Sequence, residues 1–347
     1  MGKDNLHILI IRLSALGDVA MTIPAIYSCA NSNPNCTFHM ITSEFCAQLF
    51  IDVPANVILH PINKDGQHGL LGTWRMLRQL QTLPIDTVAD LHNVLRSWII
   101  DWTFRLKGCR VQILDKMRYE RKLILHHQKV TSQPFTERYF NVFRQLGLKV
   151  NPSFTSVIEN TNTSQYIFSA ILPDDKLIPI GIAPFARYKN KTYPLSLMEQ
   201  VVAQLSADGH FRILLFSGSK IESGRMELWQ KKYTNTISVA GRFGLADEIK
   251  LMSLLKIMVT MDSANMHLAS LVGCRVVSVW GSTTPNCGFL GWQQNETDAL
   301  IAGCDCQPCT IAGSNHCRYK DYHCLTSLSP DYLYNRINEI AKIETLC

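Results

Sequence analysis

The sequence predicts an α/β protein of two doubly wound domains, and three observations point there. The chain has 347 residues, enough for two domains of ordinary size. Hydrophobic residues make up 46% and charged residues 18%, a globular balance that can bury sizeable cores. Short β-rich runs alternate with helical stretches twice along the chain, the second series restarting after a segment rich in Asn, Thr, Ser and Pro.

The first series opens at His7–Leu13, the run HILIIRL, which ends at the turn Ser14-Ala15-Leu16-Gly17-Asp18 and leads into a helix over 19–30. A strand over 38–42, a helix around Phe45, a strand over 57–60, an amphipathic helix over 74–83 and a strand over 87–91 follow. They define an N-terminal domain over 1–160. Residues 161–178 read as a linker, with the acidic step Pro173-Asp174-Asp175 before a new apolar run. The second domain, 179–329, begins with a strand over 177–183. It continues with a helix over 195–208, a strand over 211–217, a helix over 245–255, a strand over 258–261, a helix over 266–272 and a strand over 276–280. The tail, 330–347, reads as a helix carrying Tyr332, Leu333, Ile337, Ile340 and Ala341, expected to return toward the N-terminal domain. Two such domains are expected to face a cleft, because open parallel sheets bind ligands beyond the carboxyl ends of their strands.

The net charge of +6 is a mild basic bias. Its cations concentrate at Arg105, Lys107, Arg110, Lys116, Arg118, Arg121, Lys122 and Lys129, against only Asp115 and Glu120. This run suits an anionic acceptor or an acidic lipid face, and equally a solvated helical face. Its only aromatic residue is Tyr119, which argues against nucleic acid as a partner. The four apolar residues before Arg12 are fewer than the roughly 7–15 of a signal-peptide core. No stretch approaches the roughly 18 apolar residues of a membrane span. The expectation is a cytoplasmic protein, in peripheral contact with the inner membrane at most, whose 12 cysteines are reduced thiols.

Absences exclude other chemistries. None of the 19 glycines has another two positions away, so there is no G-x-G-x-x-G dinucleotide fingerprint. The only Gly-Lys pair is Gly2-Lys3, so there is no Walker A loop. No two aspartates stand two apart, which removes the D-x-D clamp that holds a divalent metal on a diphosphate. The expectation is that no cofactor is required.

Four stretches join polar residues to strand ends. In Ser14-Ala15-Leu16-Gly17-Asp18, Gly17 allows a tight turn and Asp18 falls at a helix start, where the dipole favours an anion; the bland alternative is a helix cap. Ala183 to Pro194 offers three cations in five residues, with Lys191 before a Tyr-Pro that begins a helix; the alternative is a surface loop. In Met261 to His267, Asp262 ends a strand, Ser263, Ala264 and Asn265 expose backbone N–H groups suited to phosphate, and His267 on the first helical turn can donate to an oxyanion. Gly281-Ser282-Thr283-Thr284-Pro285 follows the last strong strand and suits a ligand floor.

Together, from I-L-I-I-R-L-S-A-L-G-D-V to about residue 335, these stretches resemble glycosyltransferase family 9, the ADP-heptose:lipopolysaccharide heptosyltransferases. The resemblance implies a GT-B architecture of two Rossmann-like domains. It implies an inverting, metal-independent transfer of heptose from ADP-heptose to a lipopolysaccharide-core or related anionic glycan. By the same resemblance Asp18 is the catalytic base, and Lys191, Asp262, Ser263, Ala264, Asn265 and His267 hold the donor with Gly281 and Thr283. Phe243 lies where the family lays a residue against adenine. The acceptor would meet Ser14 and Gly17, with Arg96 and Arg138 as candidates for its phosphates. The sequence departs from the family in having Ser-Ala-Asn where many members have Thr-Gly-Pro, and in offering no clear ribose ligand near Gly218 to Glu222.

Cys304, Cys306, Cys309, Cys317 and Cys324 crowd together with His316 and His323. Cys306, Cys309, Cys317 and Cys324 have the spacing of a small zinc site; reduced thiols bracing a loop are the alternative, and no metal enters the mechanism. Two rival functions stay open: a nucleotide-sugar epimerase of the same architecture, and a non-catalytic sugar- or nucleotide-binding protein.

Overall fold

The computed structural model describes residues 5–63, 69–160, 166–173 and 176–345. They form two compact units, one of Met1–Arg118 with Gln133–Val157, the other of Tyr119–Ser132 with Ile158–Cys347.

The first unit is a five-stranded parallel sheet. Its strands are β1 (His7–Ile11), β2 (Thr37–Ser43), β3 (Val57–Ile62), β4 (Thr87–Asp90) and β5 (Arg110–Ile113), in the order β3-β2-β1-β4-β5. Ile8 to Ile11 of β1 are wholly buried, as befits a central strand with both faces covered. The single helix expected over 19–30 is two, α1 (Leu16–Ala20) and α2 (Ile23–Ser32), with Pro24 in the first turn of α2. A proline has no N–H to continue a helical ladder but fits a helix start, so the break falls just before it. After α3 (Glu44–Ala47) come α4 (Gly69–Gln81) and α5 (Leu95–Leu106). Met76 and Leu80 of α4 and Ile100 and Phe104 of α5 bury one face of the sheet with Leu9, Ile11 and Val88. The chain then leaves through residues 119–132, with α6 (Arg118–Leu125), and returns as α7 (Phe135–Gln145), which packs on α2, β4 and β5.

The second unit is a six-stranded parallel sheet, β11-β10-β9-β6-β7-β8. Its strands are β6 (Ile178–Ala183), β7 (Phe211–Leu215), β8 (Thr236–Ser238), β9 (Ile257–Met261), β10 (Arg275–Trp280) and β11 (Ala299–Ile301). The helices are α8 (Leu195–Asp208), α9 (Lys220–Lys232), α10 (Leu245–Met252), α11 (Ala264–Ser270), α12 (His323–Thr326) and α13 (Pro330–Thr345). Two placements differ from the sequence expectation. Residues 119–132, assigned there to the N-terminal domain, belong to this unit, where Ile124 packs with Cys287, Ile311 and Phe289. The tail helix α13 spends its apolar face here too: Leu333, Ile337, Ile340 and Ala341 join a core with Met198, Val201, Val202 and Leu205 of α8. The expected linker over 161–178 falls partly outside the described residues.

Both sheets share a winding. The chain starts in the middle (β1, β6), runs outward on one side (β2 and β3, β7 and β8) and returns beside its starting strand (β4, β9). The carboxyl ends of β1 and β4, and of β6 and β9, therefore flank a topological switch point, where open α/β sheets leave a crevice for ligands.

Candidate active site

At the switch point of the first unit, β1 hands over to Arg12, whose N–H continues the ladder to the Ile41 carbonyl at 3.2 Å. Its buried guanidinium spans the switch point: Nη1 donates to the Leu91 carbonyl just past β4 (2.6 Å), and Nη2 pairs with Asp18 Oδ2 (2.8 Å). Burial works against the Arg12 charge, but Tyr139, Asp18 and Asp90 outweigh it and raise its pKa, so the guanidinium stays charged. Asp18 Oδ2 also accepts from the Ala15 N–H at 3.3 Å. Asp18 is about one-third exposed, and its Oδ1 accepts no hydrogen bond among the described residues. One oxygen is thus held by the fold, while the other can receive a proton.

Around this pair Asp90, wholly buried, accepts from the His92 and Asn93 N–H groups through Oδ1 (2.7 and 2.9 Å) and from the Ser97 hydroxyl through Oδ2 (2.6 Å). Burial, with Arg12 and Lys116 nearby, pushes His92 down to about 3, so it is neutral at physiological pH. Burial and the Asp90 carboxylate push Asp101 up to about 8, so it holds a proton. Asp18, paired with the buried Arg12, thereby stays part-exposed at this end of the sheet.

At the switch point of the second unit, Asp262 follows β9 and extends its ladder by donating its N–H to the Val279 carbonyl at 3.1 Å. Asp262 is buried, and its Oδ2 accepts from Lys191 Nζ and from the Thr283 hydroxyl, each at 2.6 Å. Three separate loops, after β6, β9 and β10, so converge on one carboxylate oxygen. Ser263 caps α11 in an extended conformation, its hydroxyl 3.2 Å from that of Thr260, and Ala264 and Asn265 open the helix. His267, buried, follows on the same helix.

The cysteine-rich stretch clasps the lysine loop. Asn190, almost wholly buried, donates to the Ser314 hydroxyl (3.0 Å) and the His316 carbonyl (3.3 Å), and its Oδ1 accepts from the Ser314 N–H (2.8 Å). The Asn190 carbonyl accepts from Ser282 N–H at 2.9 Å, which joins this loop to the one after β10. Gln307 Nε2 donates to the carbonyls of Trp280, Gly281 and Thr283. Two glycines make this closeness possible. A Cβ on Gly281 would stand 2.3 Å from the Asn190 carbonyl oxygen, and one on Gly313, at φ +95°, would stand 2.5 Å from Lys191 Cδ.

The structure gathers Lys191, Asp262, Thr283 and Gly281, with Ser263, Ala264, Asn265 and His267 beside them on the β9–α11 connection. Phe243 lies apart from this cluster in sequence and packs its ring edge-to-face on Phe168 at 5.3 Å. In the first unit Ser14 is exposed and Gly17 flanks Asp18 in α1. Arg96 is part-buried in the first turn of α5. Arg138 is buried, stacked on Phe135 at 4.2 Å, and donates to the carbonyls of Gln133 (2.7 Å) and Lys116 (3.3 Å), a structural use of its guanidinium. Every described cysteine is free, and among the described residues no three His, Cys, Asp or Glu side chains converge as metal ligands, Cys306, Cys309, Cys317 and Cys324 included. The sequence reading assigns no role to Arg12, Asn190 or Gln307. Their partners are distant in the chain, and only the charge of Arg12 beside a strand end hinted at a role.

Two doubly wound parallel sheets in one chain are the GT-B architecture. Residues 73–323 match the family described as glycosyltransferase family 9 (heptosyltransferase), and the chain belongs to that family. It is 23% identical over 346 residues to lipooligosaccharide heptosyltransferase 2 of Campylobacter jejuni, covering 95% of this chain and 96% of that one. Among solved structures it is similar to ADP-heptose lipopolysaccharide heptosyltransferase II of E. coli, with TM-score 0.72 and 18% identity, covering 98% of this chain and all of the other. The E. coli heptosyltransferase WaaC, solved with ADP, has TM-score 0.68 and 18% identity, covering 96% and 100%.

Proposed function

We propose that this chain transfers heptose from ADP-heptose onto a lipopolysaccharide-type core acceptor, in a single inverting displacement that needs no metal. The observation that carries this reading is that each unit gathers charge at its own switch point, a held, half-open carboxylate in the first and a lysine, aspartate and threonine cluster in the second. The first suits a base for a sugar hydroxyl and the second suits a diphosphate.

Asp18 takes the proton from an acceptor hydroxyl as that oxygen attacks the anomeric carbon of the donor. The bond from that carbon to the diphosphate oxygen breaks, and ADP leaves. Arg12 fixes the orientation of Asp18, so that only Oδ1 moves a proton. Lys191, His267, Thr283 and the backbone N–H groups of Ser263 to Asn265 stabilise the charge growing on the leaving diphosphate. Until phosphate arrives, Asp262 is the counter-charge that keeps Lys191 in place. The relative solved with ADP supports adenine as the base of the donor.

The test is calorimetric titration with ADP, UDP, GDP and their sugars, without metal and then with Mg²⁺, on the native chain and on Asp18→Asn. The expected result is metal-independent binding that favours ADP, equal in both proteins, with turnover lowered about 10²–10⁴-fold in the variant. Preference for UDP or GDP would overturn the donor, and unimpaired turnover by Asp18→Asn would overturn the base.

A further inference from the structure

We infer that the outer face of α4 and α5 docks this chain onto an anionic lipid surface. Helix α5 is apolar on both sides. Its inner side buries Ser97, Ile100, Asp101 and Phe104. Its outer side exposes Leu95 (72%), Trp98 (40%), Ile99 (38%), Trp102 (63%) and Leu106 (85%). At 3.6 residues per turn these five positions fall on one stripe opposite the buried one, where a solvent-facing helix carries polar residues. Helix α4, in the same layer over the sheet, adds Trp74, half exposed. Lys107 Nζ donates to the Gln81 carbonyl at 3.3 Å, which brings the carboxyl ends of the two helices together.

The charges of this face are all of one sign. Arg75, Arg78, Arg105 and Lys107 flank the apolar stripe, with the Arg78 guanidinium 3.7 Å from the Trp74 ring centroid and that of Arg105 6.0 Å from the Trp102 centroid. Helix α4 contains no Asp or Glu, and the single acid of α5, Asp101, is 0% exposed. Exposed tryptophans and aliphatics ringed by unopposed cations are the composition of a helix lying in a membrane interface, where rings sit at headgroup depth and cations meet lipid phosphate. A second copy docking through the same face would set these four cations against their own images. Leu95, Ile99 and Leu106 have no stacking use against nucleic-acid bases but bury well among acyl chains.

The test is flotation with vesicles of phosphatidylcholine, alone or mixed with phosphatidylglycerol, together with tryptophan emission. The expected result is partition onto the anionic vesicles, weakened by salt, with a blue shift in emission. Trp102→Gln with Leu106→Gln is expected to lower partition at least about tenfold, and Arg75→Gln with Arg105→Gln about 25-fold, roughly fivefold per cation. Both pairs are exposed, and thermal unfolding matched to the native chain verifies the fold. Three results would overturn the proposal: no partition of the native chain, partition unchanged in both variants, or self-association without lipid that Trp102→Gln with Leu106→Gln abolishes. The assay contains neither donor nor acceptor, so its failure leaves the transfer reading standing, and failure of the transfer reading leaves this one.

Discussion

At the scale of single residues, the two candidate sites use opposite charges in the same way, each neutralised by a buried partner. Lys191→Ala removes the cation proposed to meet the diphosphate and is expected to lower kcat about 10²–10³-fold, the cost of losing one preorganised donor at a charge-developing centre, as measured by steady-state kinetics. The pH dependence of stability is set in part by Asp101. Its folded pKa of about 8 lies above the model value of 3.8, so the folded chain binds this proton more tightly than the unfolded one. Stability from this group is therefore full below about pH 4 and falls as pH rises toward 8. Asp101→Asn, which cannot ionise, is expected to unfold like the native chain at pH 4 and to be the more stable of the two at pH 8, measured by denaturant titration. Asp18, Lys191, Asp262 and Thr283 could be named from the sequence because each lies in a stretch that follows a strand. Arg12 and Asn190 could not, because Arg12 reaches Leu91 across 79 residues and Asn190 reaches Ser314 across 124, distances that no local pattern records.

At the scale of elements, the eight strands named from the sequence were read well, whereas β5, β8 and β11 and the helices α5, α6, α7, α9 and α12 were not. β1, β9 and β10 are mostly apolar and almost wholly buried, the mark of strands buried on both faces. α5 left no helical period, because a helix with apolar residues on both its inner and outer sides has no polar side to set the phase. β5 is only four residues with no buried position, too weak a signal to separate from loop. The loop over 304–324 was read as a metal candidate or a brace, and its hydrogen bonds to Asn190 give the brace a specific task, fixing the lysine loop. Gly281→Ala forces that loop and the one after β10 apart and is expected to cost about 1–3 kcal/mol, with a weaker donor Kd, by thermal unfolding and calorimetry. Asn190→Ala leaves Gly281 in place and is expected to change donor affinity more than stability.

At the scale of the whole molecule, the two-unit α/β plan was legible from the alternation of elements, whereas the membership of residues 119–132 was not. Sequence order assigns a segment to the domain on either side of it, but the burial of Ile124 among Cys287, Ile311 and Phe289 assigns it to the second unit. The same holds for α13, whose apolar face is satisfied by α8. The excursion through 119–132 means that no single cut separates the molecule into two self-sufficient pieces. A fragment of 158–347 lacks the strap whose Val130 carbonyl accepts from Asn286, and a fragment ending at 118 lacks the aromatic residues Tyr139, Phe140 and Phe143 that close the first core. On the ribosome, the first unit cannot finish folding until residue 157 has emerged, and by then the strap of the second unit is already waiting for a sheet not yet made.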